Sequence, residues 1–187
     1  MIPATQLRAG MKIMHRGELC RVQEIEHITP GKGRGMVQAK LKNLKNNSNI
    51  EYRFRSDEKV EVIRVEEHEM EYLYSTGDEY YFMNTRTYEQ IPLTEDLLGN
   101  AINYLVPNAI FTIEFFEGKP IGVNLPTTID LKVIETEPPL KGATISGSPK
   151  PAKLETGVIV QVPPFIETGE IVRIDPSQNK YLERVKK

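Results

Sequence analysis

Tryptophan is absent from this chain of 187 residues, cysteine occurs once and histidine three times. A lone cysteine, Cys20, excludes an intrachain disulfide, so packing has to hold the fold, and a reducing compartment is the expected setting. His15, His27 and His68 stand at no metal-ligand spacing with one another or with Cys20, so no zinc motif is present and no metal is expected. Apolar runs of bilayer-spanning length are also missing, and the opening MIPATQLRAG lacks the apolar region of a signal peptide. The expectation is a cytoplasmic protein with no membrane partner.

The patterns of common enzymes are missing too. No nucleophile elbow occurs, and no glycine-rich turn leads into the helix that a dinucleotide site needs. Gly31-Lys32 superficially matches a phosphate-binding loop, but Gly33 stands where Ser or Thr would hold magnesium, and the flanks read as strands. The acidic run Glu66, Glu67, Glu69 and Glu71 reads as a solvated face. Neither catalytic residues nor a cofactor is therefore expected.

What the chain has is a charge asymmetry hidden beneath a net −2. Residues 1–63 hold 12 Lys+Arg against 7 Asp+Glu, residues 64–128 hold 3 against 11, and residues 129–187 hold 9 against 8. A basic first third beside an acidic second third suits a protein that turns only part of its surface to a polyanion.

Alternation dominates the chain. KIMHRGELCRVQEIEHI reads as two strands around His15-Arg16-Gly17-Glu18, followed by strands in MVQAKLKNL, NIEYRFR and KVEVIRV. EYLYSTGDEYYFMN and AIFTIEFFEGKPIGVNL read as hairpins turning at Thr76-Gly77-Asp78 and Glu117-Gly118-Lys119. Between them TEDLLGNAINYL predicts a short helix capped by Thr94. IDLKVIETEPP, GVIVQV, GEIVRI and KYLERV supply further strands, separated by the loop KGATISGSPKPAKLETG. The expected fold class is all-β: three small barrels over 1–63, 64–128 and 129–187.

One turn stands out. Thr29-Pro30-Gly31-Lys32 has type II turn residues and joins the strand ending near Ile28 to the one starting at Met36. Gly31, Gly33 and Gly35 keep this tip narrow, so Lys32 is its most protruding group, with Arg34 a second cation. Such an arm suits a crowded RNA cleft, where cations meet phosphates and sugar oxygens. An ordinary mobile basic loop is the alternative at this point.

HITPGKGRG followed by MVQAKLKNL resembles the exposed hairpin of the bacterial elongation factor P family. A second match lies in KPAKLETGVIVQVPPFIETGE, with Lys150, Ala152, Gly157, Val160, Val162, Pro163, Ile166 and Gly169 at the family spacing. The opening IPATQLRAGMKI and the closing KYLERVKK extend the resemblance over the whole chain. It implies an SH3-like, KOW-type first domain and two OB-fold domains in an L-shaped, tRNA-like arrangement. It implies a monomer that binds the 70S ribosome and its rRNA beside the P-site peptidyl-tRNA and relieves stalling at consecutive prolines. Lys32 would reach the CCA end, often after extension by a modifying enzyme. Tyr181 and Arg184 would face the tRNA and the small subunit, and Gly142, Ala143 and Thr144 the exit-site mRNA. Two positions depart from the family pattern: Ala143 replaces a common aspartate, and Thr29 a common lysine.

Other classes remain as alternatives: a general RNA-binding barrel protein, an enzyme built on the acidic middle segment, or the elongation factor P-like paralogue. The Pro-Gly-Lys-Gly tip separates the chain from the paralogue. Residues 129–187 separate it from the shorter hypusine-containing factor.

Overall fold

A computed structural model describes residues 1–29, 31, 35–138 and 148–185. The chain divides into two compact units, one of Met1–Glu66 with Phe116–Ile121, the other of Glu67–Phe115 with Gly122–Lys187. Strands dominate both, as the alternation requires.

The first sheet has six strands: β1 (Ile2–Pro3), β2 (Lys12–His15), β3 (Glu18–Ile28), β4 (Met36–Asn43), β5 (Asn49–Arg55) and β6 (Lys59–Val62). Their order is β1-β6-β2-β3-β4-β5. Arg16 and Gly17 both adopt positive φ (52° and 80°), the combination that lets a two-residue turn follow the twist of β2 and β3. Val37, Ala39 and Leu41 alternate into the core, where they meet Ile13, Cys20, Val22 and Phe54. Each large aliphatic buried this way contributes roughly 1.5–3 kcal/mol. Met36, apolar by composition, instead stays 41% exposed at the arm end of β4.

The second sheet contains β7 (Glu66–Thr76), β8 (Glu79–Asn84), β9 (Gln90–Thr94), β10 (Ile110–Phe116) and β11 (Lys119–Asn124), ordered β11-β10-β7-β8-β9. The third contains β12 (Ile129–Thr136), β13 (Lys150–Leu154), β14 (Ile159–Val162), β15 (Ile171–Asp175) and β16 (Lys180–Arg184), ordered β14-β13-β12-β15-β16. Numbered within each sheet, both run third, second, first, fourth, fifth. The second and third segments thus share one topology without visible sequence repetition. A continuous core including Phe82, Phe111, Ile113, Leu131, Leu154 and Ile174 serves both sheets.

Three short polar side chains end strands by accepting backbone N–H bonds two and three residues ahead. Asn43 Oδ1 takes Lys45 N at 2.8 Å, Asn84 Oδ1 takes Arg86 N at 2.9 Å, and Asp175 Oδ1 takes Ser177 N at 2.8 Å. The expected helix is shorter than its pattern suggests. α1 covers only Glu95–Leu98, and Gly99 (φ 51°) passes the chain to a 3-10 segment over Gly99–Tyr104. Thr94 occupies the cap position without a side-chain capping bond. Leu98, Ala101 and Tyr104 face inward, so burial rather than capping holds this segment.

Candidate functional site

The hairpin arm is built by β3 and β4, paired from Cys20↔Asn43 to Ile28↔Met36 with one bulge between Val22 and Glu24. An inserted residue bends a ribbon and increases its twist, so the arm is not a flat extension of the sheet. Of the tip residues, Gly31 and Gly35 are described, while Pro30, Lys32, Gly33 and Arg34 lie outside the described residues, and so does the expected turn geometry. A Cβ on Gly31 would meet open space. On Gly35 it would come 2.7 Å from Ser56 Oγ, and Ser56 N donates to Gly35 O at 3.2 Å. The base of the tip is therefore pinned to the residue following β5.

Behind the tip, the register places Lys40, Lys42, Arg53 and Arg55 on the outward face of β4 and β5, interleaved with Glu51 and, from β3, Glu24 and Glu26. Lys40 Nζ pairs with Glu24 at 2.7 Å, and that carboxylate raises the ammonium pKa. Arg53 Nε donates to Gln38 Oε1 at 3.2 Å. Exposed pairs of this kind contribute little to stability. On the opposite side, His15 packs against Tyr52 and Phe54 with centroid separations of 4.6 and 5.8 Å. Burial, then Arg16, lowers its pKa, so it sits as a neutral aromatic within the core.

At the other end of the chain, Tyr181 is half-buried against the shared core, and that burial raises its hydroxyl pKa. Arg184 is exposed, yet it already has partners: Nη1 donates to Glu170 Oε1 at 3.0 Å, and its guanidinium lies 5.7 Å from the Phe165 ring centroid. Sequence reasoning missed both partners, because neither lies near Arg184 along the chain. Gly142, Ala143 and Thr144 fall outside the described residues.

The residues of the C-terminal signature are structural. Ala152, Val160, Val162 and Ile166 are buried, and Gly157 and Gly169 take φ of 89° and 92°, where other residues are strained. Gly169 N donates to Val133 O at 2.8 Å. The Lys150 ammonium, itself buried, donates to the Glu137 carbonyl. The spacing records how β12–β15 are built, which is why it identifies a lineage so specifically.

Comparison with known proteins agrees along the whole chain. Residues 3–60 match the family model for the elongation factor P KOW-like domain, 65–123 that for its OB domain and 129–184 that for its C-terminal region. Elongation factor P of Acidobacterium capsulatum is 52% identical over 98% of both chains. The chain belongs to the elongation factor P family. The Gemmatimonas aurantiaca member is 46% identical over 98% of this chain and 97% of its own. A solved archaeal structure, eukaryotic translation initiation factor 5A from Methanococcus jannaschii, is a looser likeness: 24% identity, 65% of this chain, 94% of that chain and a TM-score of 0.49. With family membership, the KOW-like first segment and the OB order of the second and third sheets bear out the all-β reading. Among the described residues, no helix is long and apolar enough to cross a membrane.

Proposed function

We propose that this translation elongation factor binds the ribosome beside the P-site peptidyl-tRNA, contacts rRNA, and stimulates peptide-bond formation at consecutive prolines. The observation that carries the reading is the near-complete match to elongation factor P at 52% identity, together with the tip sequence Pro30-Gly31-Lys32-Gly33-Arg34-Gly35 of this chain. Proline is a constrained secondary amine and a poor peptidyl donor and acceptor. A factor that holds the CCA end in a reactive geometry removes an orientation cost while the ribosome performs the chemistry. In this reading the chain supplies position and no catalytic group, and needs no cofactor.

Lys32, the tip cation with a glycine on either side in the sequence, is the group assigned to the CCA end, and it is the residue a modifying enzyme would extend. The cations on β4 and β5 then track backbone phosphates. Tyr181 and Arg184 face the tRNA and small subunit, and Gly142, Ala143 and Thr144 the exit-site mRNA. The domains are assigned as 1–63, 64–128 and 129–187, and the setting as the cytoplasm, with the factor acting as a monomer.

Chemical footprinting of 70S ribosomes stalled on a proline-proline sequence tests the reading. Protection of the peptidyl-tRNA acceptor end by the wild-type protein, reduced in Lys32→Ala, is the expected result. Unchanged reactivity throughout the P site on adding the protein would overturn it. Peptide mass spectrometry of the protein from its native host would then give the mass carried on Lys32.

A further inference from the structure

Residues 67–115 hold nine acidic side chains and a single cation, Arg86. On the outer face of β7–β9 the register sets Tyr74 opposite Tyr81, and Tyr81 opposite Pro92. The two tyrosine rings stack at 4.9 Å between centroids and 17° between planes, with Tyr74 still 49% exposed. The core does not need this pair, since Tyr72, Phe82 and Phe111 fill the inner face. Tyr81 Oη donates to Glu79 Oε2 at 2.8 Å, leaving the other carboxylate oxygen available, and Glu71 lies on the same outward face. Tyr88, in the β8–β9 connection, is 71% exposed.

Exposed aromatics on an OB sheet ordinarily stack nucleobases, but that use requires cations to hold the phosphates. Here the rim has the wrong sign, and it would repel a phosphate backbone or an anionic lipid surface alike. A guanidinium fits instead, because its flat face stacks on tyrosine and its edge pairs with a carboxylate. We propose that the Tyr74–Tyr81–Pro92 face docks an arginine-rich segment of a partner protein. The inference rests on charge complementarity and the stacked pair, and does not depend on Lys32.

The test is fluorescence anisotropy of a labelled peptide of alternating arginine and glycine against the full-length protein, at about 0.05 and 0.15 M salt. Tyr74→Ser/Tyr81→Ser should weaken binding roughly tenfold, and Glu79→Gln about threefold, through lost stacking and lost charge pairing. A lysine-for-arginine peptide should bind several-fold more weakly. Amide shift mapping on the wild type, which does not rely on variants folding, should place the peptide on β7–β9. The proposal is overturned by shifts confined to other strands, by full affinity in the double tyrosine variant, or by no binding at the lower salt. It is equally overturned by a single-stranded oligonucleotide occupying the same strands, or by self-association of the protein through this face.

Discussion

Arg184 lies over the ring of Phe165, 5.7 Å from its centroid, while its Nη1 donates to Glu170 at 3.0 Å. In the reading proposed above, this guanidinium is already held in place when RNA arrives. Its side chain pays less ordering cost on binding than a free arginine would. Arg184→Ala should weaken ribosome binding and lower the salt slope of the affinity by about one contact. Glu170→Gln, which keeps an amide oxygen to accept from Nη1 but removes the negative charge beside it, should strengthen binding. Filter binding over a salt series measures both, and an unchanged slope for Arg184→Ala removes that residue from the interface.

Lys150 is buried, and its ammonium donates to the backbone carbonyl of Glu137, so it joins β13 to the residue following β12. Lys150→Met keeps much of the volume but leaves that carbonyl without its charged donor. The expected cost is about 1–3 kcal/mol, read as a lower midpoint in urea with unchanged slope. An equal midpoint would show that the bond contributes nothing net.

His15 gives the fold a pH dependence of definite sign. Its folded pKa lies below the ordinary 6.5 because burial, then Arg16, disfavours the imidazolium. The unfolded chain therefore binds the proton first. The contribution of neutral His15 is complete above that ordinary value and is lost as pH falls below it towards the folded pKa. His15→Phe keeps an aromatic beside Tyr52 and Phe54 and has nothing to protonate. Thermal melts should show wild type losing more stability than this variant between neutral and mildly acidic pH. Parallel losses in the two proteins would contradict the assignment.

Most strands and the family were legible in the sequence because both are written locally. β13 (Lys150–Leu154) was not, because KPAKL stands in a stretch rich in glycine, serine and proline that reads as loop. The alternation of Val37, Ala39 and Leu41 announces β4, and the glycines of the C-terminal signature announce positive φ at Gly157 and Gly169. The helix was overread, since Thr94 and the acids of its first turn satisfy the start signals whatever Gly99 does next. Partnerships across the fold left no local trace. Glu170 and Phe165 reach Arg184 from the connection between β14 and β15, once β15 pairs with β16, and Tyr74 meets Tyr81 through a register that includes a bulge between Tyr72 and Tyr74. The tip lysine is the reverse case: its candidacy comes wholly from sequence and family.

The central claim is that Lys32 promotes peptide-bond formation between prolines. The direct measurement is the rate of proline-proline bond formation in a reconstituted translation system supplied with wild type or Lys32→Ala, both checked for equal thermal stability. The account predicts that the variant loses at least roughly tenfold of the stimulation, because misplacing the reacting end is costly, while synthesis of a proline-free peptide is unaffected. Full stimulation by Lys32→Ala would contradict it.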